Sequence, residues 1–353
     1  MSRSALAVSL VLCGWAAQAQ TPPPPPKLVL FDAPGAGTAS FQGTYPQRIN
    51  LAGFITGSYV DSNSVYHGFL RTPGGDIISV DVPGASTTRL ANLNDLGVLA
   101  GEYVAGKFQA GFVRTANGAF TSFHVPDAPA TYVSGINDQG EIAGSYSDLR
   151  GVYHGYVRAP DGTITIFDAP GAGDYPRQGT STSAINTAGT VVGFYIDATG
   201  VSHGFIRGTD GTFTTFEAPN AGTSRDEGTS PTSINPEGEI VGFYTDDEEG
   251  THGFLRTPDG TITSIDFPAP DLTGTFANAI NAAGVIIGTY LVTINANLYT
   301  YAFVRSNSGV FKPFSVPGSG FYGTDPVGIN AFGLITGSFP DAAGNNHGFL
   351  IIP

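Results

Sequence analysis

The chain alternates short apolar runs with tight turns, and this pattern repeats along almost its whole length. In one unit the apolar runs are Glu239–Tyr244, His252–Arg256 and Thr261–Phe267, separated by turns rich in Gly and Asp. Alternating Thr, Val, Ile, Phe and Tyr over a few residues is typical of β-strands, and no stretch shows a sustained helical period. The pattern predicts units of four short antiparallel strands.

The strongest signal in each unit is Ile-Asn-x-x-Gly, with Leu replacing Ile once. Asn suits the first corner of a type I turn because its side chain caps its own backbone, and Gly suits the left-handed position that follows. The asparagines are Asn50, Asn94, Asn137, Asn186, Asn235, Asn281 and Asn330, and the glycines are Gly53, Gly97, Gly140, Gly189, Gly238, Gly284 and Gly333. We therefore expect seven equivalent hairpins.

Both ends of the chain carry incomplete units. A lone strand at 28–34 follows a proline-rich segment, and the chain stops just after a third strand at 347–350. One four-stranded sheet cannot bury both of its faces alone, so the units must stack against one another. A closed ring of units leaves no unpaired edge strand at the two ends of the chain. The sequence predicts an all-β, seven-bladed β-propeller of four-stranded antiparallel blades, closed by the N-terminal strand pairing with the C-terminal blade.

The proposed closure has a definite register. If Asp32 pairs with His347, then Phe31 faces Gly348 and Lys27 meets Ile352. We also expect Leu28, Leu30 and Phe31 to enter the core.

The N-terminus has the pattern of a cleaved secretion signal. Arg3 precedes an apolar run that ends in Ala17-Gln18-Ala19, which predicts a signal peptide at 1–19. Residues 20–26 form a proline-rich spacer, and 27–353 form the propeller. We expect export to the periplasm or the outside of the cell, with cleavage near Ala19. Lipid attachment at Cys13 is the alternative.

Composition narrows the classes of partner. The formal net charge is −14 with only 12% charged residues, and an acidic surface disfavours nucleic acid. No second apolar run approaches transmembrane length, so no membrane span is expected. Cys13 is the only cysteine, so disulfides cannot stabilise the exported chain. We expect a monomer that needs no cofactor.

The units Ala-Ile-Asn-x-x-Gly-x-Val-x-Gly and His-Gly-Phe-Leu resemble the bacterial extracellular repeat proteins of the HAF family, named for His-Ala-Phe. The resemblance extends over nearly all of the chain after Pro26. The middle residue is usually Gly here, and Tyr301-Ala302-Phe303 alone keeps Ala. The family comprises exported repeat proteins without an established activity. The resemblance therefore implies export and this type of repeat fold, and it assigns no catalytic residue.

Five of the six histidines share one repeat position, and each has an acid six residues before it. A second acid follows fourteen residues later in four units, and Asp32 supplies it for the last. The sets are Asp61, His67 and Asp81; Asp148, His154 and Asp168; Asp197, His203 and Glu217; Asp246, His252 and Asp266; and Asp341, His347 and Asp32. The two remaining units lack all three groups, which suggests that the three touch.

Hairpin geometry places each histidine opposite its second acid, with Cβ atoms about 4.5–5.5 Å apart. We interpret the sets as structural, metal-free clips, because an imidazole between two carboxylates has both nitrogens satisfied. A metal site built from two carboxylates and one histidine is the alternative. Five equivalent copies argue against catalysis, since an active site is normally single.

Six arginines lie four residues past the histidine position, where we expect ion pairing or packing of the aliphatic stem. They are Arg71, Arg114, Arg158, Arg207, Arg256 and Arg305.

The links between units gather on one face, the long-loop face, where propellers commonly place ligands. We assign as candidate ligand-binding residues those in these links that do not follow the repeat: Tyr45, Arg48, Asp174, Tyr175, Arg177, Arg225, Asp226, Glu227, Tyr322 and Asp325. No catalytic residue is assigned.

Three functions fit this pattern. The first is a non-catalytic binding module for an extracellular polymer, glycan or protein. The second is a carbohydrate-active hydrolase or lyase with paired carboxylates from the loops. The third is a structural cell-surface module.

Overall fold

The fold is a propeller-like arrangement of short strands. A computed structural model describes residues 26–319 and 323–353, and within these ranges there are strands and turns but no helix. No segment in this part of the chain forms a helix of the length and apolarity needed to cross a membrane. The predicted signal peptide lies outside the described residues, as does the predicted spacer except for Pro26.

The strands form successive sets of four. The first complete set is β2 (Gly43–Ile49), β3 (Ile55–Val60), β4 (Tyr66–Arg71) and β5 (Ile77–Val80). The next is β6 (Thr87–Leu93), β7 (Leu99–Ala105), β8 (Phe108–Arg114) and β9 (Phe120–Phe123). There follow β10 (Ala130–Ile136), β11 (Ile142–Ser147), β12 (Tyr153–Arg158), β13 (Ile164–Phe167), β14 (Gly179–Ile185), β15 (Val191–Ile196), β16 (Ser202–Arg207) and β17 (Phe213–Phe216).

The remaining strands continue the same order. They are β18 (Gly228–Ile234), β19 (Ile240–Thr245), β20 (Thr251–Arg256), β21 (Ile262–Ser264), β22 (Leu272–Ile280), β23 (Ile286–Ile294), β24 (Asn297–Arg305), β25 (Phe311–Phe314), β26 (Asp325–Ile329), β27 (Ile335–Pro340) and β28 (Asn346–Ile352), with β1 (Lys27–Phe31) at the start of the chain.

Pairing within each set is antiparallel from one strand to the next. The first strand carries a register shift near its end, as between Pro46 and Arg48 in β2. Neighbouring sets touch through a short parallel contact, such as Tyr153 of β12 with Gly179 of β14. All first strands start at the long-loop face and end at the Asn turns, so they share one direction around a central space.

Strand β1 pairs with β28, from which it is separated by most of the chain. Phe31 lies opposite Gly348 and Lys27 opposite Ile352, which is the register expected from the sequence. One expectation was wrong: Leu28 and Leu30 are 37% and 50% exposed, while Val29 and Phe31 pack against the core. Because successive side chains of a strand point to opposite faces, alternate residues face inward together.

The core consists of side chains packed between neighbouring sets. The residue that follows the His-Gly pair, or its equivalent in the two sets without this pair, is fully buried in every third strand, as are Phe69, Phe205 and Phe254. In four third strands the glycine before it is covered by an aromatic ring of the neighbouring fourth strand; a Cβ at Gly155 would lie 2.3 Å from the Phe167 ring. Each aromatic ring therefore fills space that a side chain at the glycine would occupy.

The six repeated arginines stack on phenylalanine rings. The guanidinium carbon lies 4.8–5.7 Å from the ring centre, within the range of a cation–π contact. In four cases the ring belongs to the preceding set, as with Arg207 over Phe167. Ion pairing, one of the two expectations, is absent: within the described ranges none of the six lies within 4 Å of a carboxylate.

The seven Asn side chains form a closed cycle of hydrogen bonds. Each Nδ2 donates to the backbone carbonyl of the corresponding Asn in the next set at 2.9–3.3 Å, and Asn330 donates to Asn50. Each Oδ1 accepts the backbone N–H four residues later, as Asn186 does from Thr190. These side chains are 1–6% exposed, so the hydrogen bonds satisfy polar groups that water cannot reach.

We predict that removing β1 destabilises the protein strongly. A chain that begins at Gly35 loses Val29 and Phe31, and each large apolar side chain contributes about 1.5–3 kcal/mol when fully buried. It also exposes the edge of β28 to aggregation. Thermal unfolding and light scattering test this, with a chain beginning at Pro26 as the control. Parent-like melting and a monomeric state for the shorter chain would contradict the prediction.

We predict that Asn186→Ala lowers the free energy of unfolding by about 1–3 kcal/mol, because it leaves the N–H groups of Ala188 and Thr190 without their acceptor and removes the hydrogen bond to the carbonyl of Asn235. Urea denaturation measures the change. Thr187→Ala, at the exposed neighbouring position, serves as the control and should change little.

Candidate functional site

The first strands of all sets surround a central channel, and its two ends differ in chemistry. At the asparagine end, a cavity of about 420 Å³ is lined by the seven Ile-Asn or Leu-Asn pairs and by the residue after each. The Ile-Asn or Leu-Asn pair repeats around this end of the channel, whereas the residue after it varies and includes Asp95 and Asp138. At the loop end the lining residues differ from one set to the next.

Two cavities occupy the loop end. The first, which we call the arginine cavity, has a volume of about 510 Å³. Its walls come from β2 and β6 and the strands beside them. The residues that define it are Phe41, Tyr45, Gln47, Arg48, Ser58, Tyr66, Arg89, Glu102 and Ser134.

The second cavity, which we call the phenylalanine cavity, has a volume of about 480 Å³. Phe194 and Phe243 form one part of its wall, and Asn278 and Asp325 form another. Gln47 and Arg48 line both cavities. Arg48 therefore presents its guanidinium to the space shared by the two.

Charged groups at the loop end are held away from bulk water. Burial lowers the pKa of Arg48. Burial raises the pKa of Asp325 to about 6, although Asn278 donates a hydrogen bond of 3.1 Å to it. Asp325 is nonetheless exposed at the surface of the phenylalanine cavity that it lines.

Glu102 is the second carboxylate at this end. Burial raises its pKa, and the opposing Arg89 charge and hydrogen bonding from the Val133 backbone lower it, with a net increase. Arg89 lies directly across the β6–β7 pair from Glu102. Its guanidinium carbon is 3.8 Å from the centre of the Tyr66 ring.

Three of the ligand-binding residues predicted from the sequence lie in strands and not in loops. Tyr45 and Arg48 belong to strand β2 and not to a loop, because the preceding loop ends at Gln42. Tyr45 is held by its hydroxyl, which donates to the carbonyl of Phe41 and accepts from Asn346. Asp325 is also a strand residue, at the start of β26. All three line the channel cavities.

The other predicted residues lie on the outer rim. Asp174, Tyr175, Arg177, Arg225 and Asp226 are exposed and line neither cavity. Tyr322 lies outside the described residues.

Glu227 has a role within its own loop. Its carboxylate accepts a hydrogen bond from the backbone N–H of Ser224, as the side chain of Gln178 does from Tyr175. Phe41, Arg177 and Asp226 all have a positive φ. They directly precede Gln42, Gln178 and Glu227. The three long loops therefore have one common conformation.

Sequence reasoning missed Arg89, Glu102 and the aromatic residues Tyr66, Phe194 and Phe243. The signal was a departure from the repeat on the inner strands: Arg89 stands where other sets have Ser181 or Ser230, and Glu102 where others have Ser58 or Ser145. Comparison of the outer motifs alone could not find these positions.

The structure brings the five histidine–acid sets together. Each histidine Nδ1 contacts its second acid: His67 with Asp81, His154 with Asp168, His203 with Glu217, His252 with Asp266, and His347 with Asp32. Four of these distances are 2.8–3.0 Å.

The first acid of each set lies at the other ring nitrogen. The Nε2 atoms lie 3.1–3.9 Å from Asp61, Asp148, Asp197, Asp246 and Asp341. Each of these acids also caps its own turn, as Asp246 accepts the N–H of Gly250. Because the two carboxylates contact opposite nitrogens, the three groups do not converge on one point. In the described part of the chain no group of three or more His, Cys, Asp or Glu has the arrangement of a metal site.

We predict that the clip formed by His252, Asp246 and Asp266 makes a small, pH-dependent contribution to stability. Burial lowers the pKa of His252, but Asp266 and Asp246 raise it further, so the net change is upward. A raised pKa stabilises the fold below the pKa of the unfolded state, and this stabilisation is lost as pH rises through the folded value. For a partly exposed pair it is at most about 1 kcal/mol.

Urea denaturation at pH 5.5 and pH 8 tests this. His252→Ala should lower the free energy of unfolding, relative to the parent, by more at pH 5.5 than at pH 8. His124→Ala, which removes a histidine outside the clips, should not show this difference between the two pH values. Several equivalents of zinc or calcium in the purified protein, lost in His252→Ala, would instead establish the metal alternative.

Comparison with known proteins supports the fold. No protein-family model matches the sequence, and neither does any curated protein. Among solved structures, the chain is similar to virginiamycin B lyase from Staphylococcus aureus, at 15% identity over 93% of this chain and 100% of that one, with a TM-score of 0.57. It is also similar to a prolyl endopeptidase structure, at 10% identity over 90% of this chain and 50% of that one, with a TM-score of 0.56. At these identities the likeness shows a propeller-like fold alone.

Proposed function

We propose that the chain is an exported, non-catalytic, seven-bladed propeller that binds an extracellular polymer, glycan or protein at the loop end of its channel. The blade count is supported by the sets of four strands, with β1 completing the set of β26, β27 and β28. Closure of the ring is further supported by the hydrogen bond from Asn330 to Asn50, which joins the last set to the first.

The observation that supports the binding proposal is that side chains which differ from the repeat are concentrated at the loop end of the channel. The asparagine end presents the same Asn and Ile or Leu groups from every set. At the loop end, Tyr45, Arg48 and Asp325 line cavities, and Tyr175 and Arg177 stand on the rim. Side chains that have no repeated packing role, and that gather around a cavity, are typical of a ligand site.

A glycan-cleaving enzyme is the second candidate, and Asp325 is the observation that favours it. A carboxyl group with a pKa of about 6 is partly protonated near neutral pH, and its protonated fraction can donate a proton to a leaving group. Incubation with extracellular oligosaccharides separates the two candidates. The binding module leaves their length unchanged, whereas an enzyme that is inactivated by Asp325→Asn releases shortened products.

We predict that the rim contributes to binding. Replacing Tyr175, Arg177 and Arg225 with Ala should leave melting nearly unchanged, since exposed loop substitutions usually cost less than about 0.5 kcal/mol. Affinity for a ligand found on an array of glycans and secreted polymers should fall. The matched control is Leu96→Ser with Phe332→Ser, two exposed side chains at the asparagine end. Weaker binding by the control and unchanged binding by the rim variant would contradict the proposed face.

A further inference from the structure

Arg48 is an unusual residue at its position in the repeat. It precedes Ile49 at the register shift of β2, where the other first strands carry uncharged side chains or glycine. These residues are Asn92, Gly135, Ala184, Ser233, Ala279 and Gly328. Only here does a long cationic side chain reach into the channel from this position.

The charge of Arg48 has no carboxylate partner in the described part of the chain. Its Nη1 donates to the backbone carbonyls of Gln47 and Val327, both at 3.1 Å, and no acid lies within 4 Å of the guanidinium. A guanidinium stays protonated in proteins. An unpaired charge surrounded by protein is costly, and a bound anion would compensate it.

Arg89 supplies a second guanidinium to the same cavity. It too has no carboxylate within 4 Å among the described residues, and its contact is with the Tyr66 ring. Glu102 is the one acid lining the arginine cavity. Two guanidinium groups against one carboxylate leave the arginine cavity positive, in a chain whose formal net charge is −14, while the carboxylate of Asp325 lies in the phenylalanine cavity.

The rest of the lining is suited to a polyhydroxylated ring. Tyr45 and Tyr66 offer aromatic surface beside the arginines, and Gln47, Ser58 and Ser134 offer donors and acceptors for hydroxyl groups. A volume of about 510 Å³ is in the range of small-ligand sites. The phenylalanine cavity continues this space on the other side of Arg48.

We propose that the two cavities bind an acidic oligosaccharide, with the carboxylate of a uronate residue held by Arg48 and Arg89 and the neighbouring sugar packed against Phe194 and Phe243. This inference rests on the proposed binding function and names its ligand class. Guanidinium groups favour a carboxylate because they can donate two parallel hydrogen bonds to it. The paired cavities favour a chain of sugars over a single small acid.

Titration calorimetry with trimers of galacturonate, glucuronate and mannuronate tests the proposal. The matched ligands are the methyl esters, which keep the shape and remove the charge. We expect at least one trimer to bind and its ester to bind far more weakly. Arg48→Met and Arg89→Met should each raise the Kd by about tenfold to hundredfold. Arg48→Lys should keep part of the affinity.

Arg150→Met is the control variant, since Arg150 is a 63% exposed cation in a hairpin, paired with Asp148. It should bind as the parent does. Arg89 is exposed to the channel, so Arg89→Met tests the site even if Arg48→Met fails to fold.

Three results would overturn the inference and leave the proposed function intact: binding of esters as tight as of acids, uronate binding unchanged by both arginine variants, or binding of other ligands alone. Absence of any ligand on the array of glycans and polymers would instead overturn the proposed function itself.

Discussion

The cycle of seven asparagine side chains is the interaction on which the arrangement of the sets depends. Each amide does two things at once: its oxygen closes its own turn, and its nitrogen bonds the backbone of the next set. Local turn geometry and contact between sets are thus coupled through one buried residue. Because an unmet buried hydrogen-bonding group costs about 1–3 kcal/mol, each member must match its neighbours in position.

Outside this cycle, repeated contacts bind one set to the next. Arg207 stacks on Phe167 of the preceding set, and Ala169 donates its N–H to the hydroxyl of Thr180 at the start of the next first strand. Thr180 and six equivalent threonines each accept this backbone hydrogen bond. In four sets a glycine that faces an aromatic ring completes the contact. These positions are constrained by packing and leave little freedom for function.

Side chains of the first strands that face the channel are not constrained by this packing. A substitution there changes the chemistry of the channel without altering packing between sets. Arg48, Arg89 and Asp325 occupy such positions, and Glu102 lies opposite Arg89 on the adjoining second strand. The raised pKa values of Glu102 and Asp325 have the same origin, since protein surrounds the channel and replaces bulk water around their carboxylates. The packing positions therefore repeat from set to set, whereas the side chains of the candidate site do not.

Much of the fold could be predicted from the sequence because its determinants are local and repeated. The turns at Asn186 and its equivalents, the strand pattern and the register of Phe31 with Gly348 all follow from short-range patterns. The direction of individual side chains in β1 did not follow, since alternation leaves open which face the rest of the protein covers. Leu28 and Leu30 were placed inside, and Val29 lies there instead.

The candidate site was predicted only in part. The pairing of the histidines with acids could be predicted from their fixed spacing along one hairpin, because the turn determines which strand positions lie opposite each other. The association of Arg48 with Arg89, and of Asp325 with Asn278, joins residues from different sets. By itself the sequence determined the repeating unit and its hairpin contacts. Only the tertiary structure decided which unrepeated side chains share a cavity, because that depends on how the sets are placed around the channel.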